Sequence, residues 1–514
     1  MNNFKKIIEY GLYLLIFLLP IQTRWIIKQG ELNGGYWEYG TISLYATDVL
    51  LILVLLCFVF FQIKNKNFQF FPPQRDPAKA VAIFPASAGP CQGGGNFQLN
   101  FKFLISNYWF YIALIDLAII ISILFAPNKI LAIFSYLRFL LGMGLFWLIV
   151  SAEYDKVKLI WSLIAGAAFQ AGLGIWQFLS QSSFAFKWLG IAEHKPFDLG
   201  TSVVEVMGYD GVWERWLRAY GGLDHPNILG GMLAVVLLLL MAMFINSKTT
   251  MSLRAQRSNL SEPTLPRLLR PAAGLAMTIM FFTFYFLLFT SLFFTFSRGA
   301  WAGFVAGLIS LLIILLWKKE EKKMKGALEL IFVGFIIVLF LFNLYGNLAL
   351  TRLSKDTRLE IKSNTERLEY YKYSKQIIKK HWLFGVGIGN YTLYNANLRI
   401  KCESTNCEYA NRPSWYYQPV HNTFLLVWAE TGILGLVGFL GLLGYIIIFN
   451  FQFSIFKHFF NYKEIRNQKS EIRNSEQDYS NQGINKNFVL SLPILSAIIV
   501  IMLVDHWWWS LHFG

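Results

Sequence analysis

The sequence predicts an all-α polytopic membrane protein with about 11–12 transmembrane helices and a long, partly helical exported loop before the tenth span. Three observations predict it. Apolar residues make up 55% of 514 residues and charged residues only 15%. Mean hydropathy is +0.45, where soluble proteins usually fall below zero. Apolar runs long enough to cross a bilayer recur along the whole chain. Together they exclude a soluble enzyme, a disordered chain and a disulfide scaffold.

The runs lie at roughly 7–20, 43–62, 103–123, 130–150, 158–180, 226–245, 273–295, 300–317, 326–348, 421–449 and 487–504. Pro20, Ile21, Gln22 and Thr23 follow the first run with no small-residue cleavage site, so it reads as a retained helix and not a signal peptide. Lys5 and Lys6, Lys64 and Lys66, Lys156 and Lys158, Arg254 and Arg257, Lys318 and Lys319, and Lys457 and Lys463 mark alternate connections. All six groups fall on one side if the N-terminus is cytoplasmic, which accounts for much of the net charge of +16 without nucleic acid.

This reading divides the chain into five parts: N-terminal membrane helices at 1–245, with a cytoplasmic insert at about 63–102; a cytoplasmic loop at 246–272; spans seven to nine at 273–348; an exported loop with an amphipathic helix at 349–420; and C-terminal spans at 421–514, with a basic cytoplasmic loop at about 450–486. Eleven spans leave the end outside, and a twelfth would lie beyond it. Asp505-His506-Trp507-Trp508-Trp509 reads as an interfacial aromatic belt. Cys402 and Cys407 stand five residues apart in the exported loop and suit a local disulfide. No C-x-x-C pair suggests zinc.

There is no P-loop, no G-x-G-x-x-G after a strand and no H-E-x-x-H. The residues able to do chemistry gather on the exported side. Ser297-Arg298-Gly299-Ala300-Trp301 puts an arginine at a membrane edge. It is either a snorkelling anchor or an anion clamp, because guanidinium is planar, always charged and suited to bidentate phosphate contacts. Ser363-Asn364-Thr365-Glu366 fits a capping box, placing Arg367 in a first helical turn beside free N–H donors. Leu368, Tyr371, Ile378 and Trp382 would form the apolar face of that helix, which Gly385-Val386-Gly387-Ile388-Gly389 closes. His421 and Asn422 open span ten. The neutral form of a histidine there is available as a base. Glu430 lies nine residues on, about 13 Å deeper, too far to orient His421 along a continuous helix. Arg218, His225 and Asn227 lead into span six, where Pro226 near the first helical position is the simpler account of the motif.

In this order the clusters resemble the bacterial O-antigen ligase and O-antigen polymerase family. The likeness rests on Ser297 to Trp301, Arg367 and Gly385-Val386-Gly387 in a long loop, then His421-Asn422 with Leu425, Glu430, Gly432 and Gly435. It implies a metal-independent, cofactor-free inverting membrane glycosyltransferase that takes a glycan from an undecaprenyl-diphosphate carrier at the periplasmic face of the inner membrane. Lipid A–core is the first acceptor it implies; related members polymerise repeats or glycosylate proteins. The family's two essential arginines map onto Arg298 and Arg367 and its loop histidine onto His421, the catalytic residues this implies; Arg218, His225, Asn227, Ser297, Asn422 and Glu430 are further candidates at the substrate. The partners are then the lipid-linked donor, a glycan or protein acceptor and the bilayer, with no nucleic acid. A lipid-glycan transporter is the rival from another class; the one-sided motifs and the lack of an internal repeat argue against it.

Overall fold

The computed structural model describes residues 2–65, 108–208, 211–258, 269–354, 357–400, 413–467 and 491–510. Cys402 and Cys407, residues 66–102 of the first cytoplasmic insert and residues 468–486 of the basic loop lie outside them.

Among the described residues the chain is an all-α polytopic membrane fold. In order the helices are α1 (Asn2–Leu18), α2 (Ala46–Lys64), α3 (Tyr108–Leu124), α4 (Lys129–Ser151), α5 (Lys156–Ser180), α6 (Pro226–Ser258), α7 (Leu269–Phe294), α8 (Arg298–Trp317), α9 (Glu321–Leu353), α10 (Arg358–His381), α11 (Tyr391–Ile400), α12 (Thr423–Asn467), α13 (Ser491–Val504) and α14 (Trp507–Ser510). Eight helices are long and apolar enough to cross a membrane, namely α2, α4, α5, α6, α7, α8, α9 and α12. The apolar helices α3 and α13 are shorter, at 17 and 14 residues, and α1 has 17. Each of the eleven expected runs coincides with one of these helices. Short strands, which hydropathy could not signal, occupy two of the segments expected outside the membrane. β1 (Arg24–Lys28) pairs antiparallel with β4 (Ile42–Tyr45), β2 (Glu31–Leu32) with β3 (Gly35–Tyr36), and β5 (Val203–Met207) with β6 (Trp213–Leu217).

Burial separates the helices by position. The span of α6 is 83% buried, whereas that of α4 is 6% buried, so α6 is the central post and α4 faces outward. Phe332, Phe335, Leu339 and Phe340 of α9 are exposed apolar side chains, as a lipid-facing surface requires.

Two glycine stripes bring helix backbones together, the way membrane helices associate without a hydrophobic drive between them. Gly299, Gly303 and Gly307 of α8 face α13: a Cβ on Gly303 would meet Ile501 Cγ1 at 2.7 Å and the Ala497 carbonyl oxygen at 3.0 Å. Gly435, Gly438 and Gly441 of α12 receive Ala118, Ile115 and Tyr111 of α3. Gly303→Val is expected to cost about 1–3 kcal/mol through overpacking, read as a lower melting temperature of the detergent-solubilised chain. An unchanged melting temperature would show that α8 and α13 yield at this contact.

The loops converge at one end of the bundle. Trp37 Nε1 donates to the Tyr417 carbonyl at 3.4 Å, and Ser414 Oγ to the Tyr36 carbonyl at 2.6 Å. Arg358, at the start of α10, reaches Glu205 of β5 at 2.9 Å.

Candidate functional site

Helix α8 begins at the site. Ser297 is its N-cap and accepts from Ala300 N at 3.4 Å; Arg298 is the first helical residue. The turn before it is held in an uncommon conformation, with φ +45° at Phe296, a left-handed value that a bulky residue adopts only under constraint. The constraint is visible. Arg218 donates to the carbonyls of Thr295 at 2.7 Å and Phe296 at 3.3 Å, and Arg352 donates to the same Phe296 carbonyl at 3.2 Å. Two guanidiniums therefore satisfy carbonyls left free at the end of α7 and fix where Arg298 points.

Arg298, Arg352 and Arg367, from α8, α9 and α10, line one small cavity of about 20 Å³, together with Asn227, Ser297, Gly299, Ala300 and Asp505. Its floor is the N-terminus of α8, where unpaired N–H groups and the helix dipole favour an anion. Glu360 of α10 pairs with two of its arginines. Its carboxylate lies 3.0 Å from Arg298 Nη2 and also pairs with Arg352 Nη1. This buried acid thus occupies the place between two guanidiniums where a phosphate would fit.

The capping box expected at Ser363 is not formed. Thr357 is the N-cap and α10 starts at Arg358, because Arg358-Leu359-Glu360-Ile361-Lys362 continues the helical run upstream and Glu360 is drawn into the arginine pair. Arg367 therefore lies in the third turn, and the helix end that faces the cavity belongs to α8. The buried face of α10 is also rotated from the expected one: Tyr370, Ser374, Ile377 and Ile378 are covered, while Leu368 and Trp382 are exposed.

His421 comes to the cavity through Asp505. The Nδ1 of His421 is 3.6 Å from Asp505 Oδ1, and Asn227 Nδ2 donates to Asp505 Oδ2 at 3.1 Å. Three bonds align the segments: Asn422 Oδ1 accepts from Leu425 N at 2.9 Å, Asn422 Nδ2 donates to the Leu503 carbonyl at 3.0 Å, and Thr423 Oγ1 donates to the Asp505 carbonyl at 2.9 Å. Burial alone would raise the Asp505 carboxyl, but His421 beside it, together with His506, holds it well below the usual carboxylate range. The His506 ring is 5.0 Å from that of His421, and burial with the charge of His421 pushes its pKa down to about 3. His421, Asp505 and His506 offer three ligand atoms within 4.8 Å of one another, a set that fits a divalent ion.

The other expected site residues lie farther from the cavity or are committed elsewhere. His225 caps α6, its Nδ1 accepting from Asn227 N at 3.1 Å; burial, then Arg218, lowers its pKa to about 3, so it is neutral. Arg218 is buried and makes two further bonds, to Ser202 Oγ at 2.6 Å and Asn227 Oδ1 at 2.9 Å. Glu430 pairs with Trp509 Nε1 at 2.8 Å and Tyr391 N at 3.3 Å, not with His421. It lies just before a break in α12 at Gly432, whose φ is +70°. The turn after α10 fills that break: Val386 N and Gly387 N donate to the carbonyls of Ala429 and Glu430, both at 2.9 Å, and Ile433 N donates to the Trp382 carbonyl at 2.8 Å. Gly385 faces the Glu430 carbonyl so closely that no Cβ fits. The glycine turn thus satisfies backbone groups that a broken membrane helix would otherwise leave bare.

Sequence reading missed Arg352, Glu360 and Asp505. Arg352 had the signal that singled out Arg298, a guanidinium ending an apolar run. Asp505 stood in plain view at the end of span eleven, in the segment read as an aromatic belt. That segment is an internal part: Trp507 is buried against Gly231, and Trp509 holds Glu430. No local signal marked Glu360.

The fold and the site define a multi-pass membrane protein with a cationic pocket built where a helix N-terminus meets three arginines. Residues 283–440 match the family model of O-antigen ligase, the family that the sequence resembles. The match covers Arg298, Arg352, Glu360, Arg367 and His421; Arg218, Asn227 and Asp505 lie outside it. No curated protein matches the chain.

Proposed function

We propose that the protein is an inverting glycosyltransferase that moves a glycan from an undecaprenyl-diphosphate carrier to an acceptor, lipid A–core first among them, at the periplasmic face of the bacterial inner membrane. The observation that carries this is the meeting of Arg298, Arg352, Arg367 and the α8 N-terminus in one cavity bounded by Asp505, beside His421. Several cations around a helix end suit a diphosphate, whose charge grows as it leaves. The donor phosphates would displace Glu360 and widen the cavity.

The acceptor hydroxyl oxygen attacks the anomeric carbon, the bond from that carbon to the diphosphate oxygen breaks, and the electron pair leaves with the polyprenyl diphosphate. The hydroxyl proton passes to His421. Asp505, held by Asn227, orients the imidazole and stabilises its charged form. One displacement inverts the anomeric centre. Ser297 shapes the floor; Arg218, His225, Asn422 and Glu430 position the elements around it.

The test uses the full chain in detergent, a defined undecaprenyl-diphosphate glycan and lipid A–core. The expected product has the mass of the free glycan plus that of the acceptor less one water, with inverted linkage. Elongated lipid-linked glycan made without lipid A–core would instead assign a polymerase, and donor crossing a vesicle membrane with no product would assign a transporter. His421→Ala is expected to lower transfer by about 10²–10⁴-fold. Asp505→Asn should follow it in the same direction, and unaltered rates in both would remove the dyad from the mechanism. Because the arginines supply the cationic charge, chelation with EDTA is expected to leave transfer unchanged. Loss restored by a divalent cation would instead make His421, Asp505 and His506 a metal centre.

A further inference from the structure

A second cavity, of about 490 Å³, lies between α2, α3, α4 and α12. That volume is in the range of ligand pockets, about 300–1,000 Å³, and far beyond a packing defect. It has two zones. Leu51, Ile115 and Leu145 line an apolar part; Tyr39, Arg138 and Ser510 belong to a polar part.

Arg138 is the residue that needs explaining. It lies nine residues into α4, about 14 Å along a membrane span. A guanidinium there is costly unless an anion meets it. Its charge reaches the carboxylates of Glu38, Asp48 and Asp224, yet among the described residues none is within 4.0 Å of it. Glu38 is bound to Arg24, with Nη2 to Oε2 at 3.0 Å, and Asp48 accepts from Tyr45 N at 3.2 Å. The guanidinium stands 5.0 Å from the Tyr45 ring and 5.7 Å from the Phe134 ring, and its Nη2 is buried with no hydrogen-bond partner. The rings orient the fork without neutralising it, and its open side suits an oxyanion.

The cavity also reaches the reacting groups. Pro419, two residues before His421, lines it, as does Ser510, whose Oγ is 2.6 Å from His506 Nδ1. The arginine pocket meets the imidazole pair at Asp505, whereas this cavity approaches it at Ser510, which is bonded to His506, and at Pro419. A displacement with inversion needs the nucleophile and the leaving group to approach from different sides.

We infer that this cavity is a second substrate site, which takes the acceptor as a phosphorylated amphiphile, its phosphate on Arg138 and an acyl chain along α2 and α3. The acceptor role rests on the transferase reading above; the lipid site does not. The measurement has two arms on the full chain in detergent. In the binding arm, native mass spectrometry follows dioleoyl phosphatidic acid, dioleoylglycerol and inorganic phosphate. Wild type is expected to hold phosphatidic acid at least tenfold more tightly than Arg138→Ala, with Arg138→Lys between them, and dioleoylglycerol and phosphate are expected not to displace it. Equal binding by Arg138→Ala overturns the site, and displacement by inorganic phosphate overturns its lipid character. In the kinetic arm, Arg138→Ala is expected to raise the acceptor KM at least tenfold while the donor KM stays put. An unchanged acceptor KM overturns the acceptor assignment. Arg138-dependent lipid binding in a wild-type chain that transfers no glycan sinks the transferase reading and leaves the lipid site standing.

Discussion

Arg298→Ala is expected to reduce glycan transfer by about 10²–10³-fold, the usual loss when one preorganised donor to a developing anion is removed. Arg367→Ala and Arg352→Ala should fall in the same range, because all three guanidiniums face one small cavity. Membrane insertion should persist, since Arg298 is the first residue of α8 and Ser297 still caps that helix. Lysine at position 298 should recover only part of the rate, as a point charge cannot grip two phosphate oxygens in one plane. Transfer measured at saturating donor separates this from a binding defect. Near-wild-type rates in any two of the three alanine variants would sink the proposed site.

Glu360→Ala should be the most destabilising single change at the site, by about 3–5 kcal/mol, the loss typical when one member of a buried ion pair is removed. The Glu360 side chain is 3% exposed, and its carboxylate is the anion between Arg298 and Arg352. Without it two guanidiniums, one of which also holds the Phe296 turn, repel each other across a closed space. Thermal unfolding in detergent reads the effect. Added pyrophosphate should raise the melting temperature more in this variant than in wild type, since a ligand of the native state stabilises by mass action. A variant as stable as wild type would show that the two arginines find other partners.

How much of the site was legible follows from the range of each interaction. Arg298 and His421 could be picked out because each interrupts an apolar run at its edge, and that interruption is local. Arg367 was named for a helix start at Ser363, but α10 begins at Arg358. The side chain nonetheless faces the cavity, about two turns further along the helix than a capping box would have put it. Arg352 and Glu360 are eight residues apart in sequence, yet what gives them meaning is Arg298, more than fifty residues upstream. Asp505 lies 84 residues beyond its histidine partner.

The amino-acid sequence by itself determined the membrane helices, because a bilayer demands about 20 apolar residues in unbroken succession and that demand is written locally. It also marked some of the helix ends, such as Ser297 before α8 and Pro226 at the start of α6, though not the start of α10. Only the tertiary structure decided what these ends meet: three arginines on a helix terminus, an internal carboxylate between two of them, and an aspartate carried from the end of α13 to the histidine. Those meetings depend on Coulomb attraction and on helices brought close by glycine stripes, and neither leaves a period in the chain.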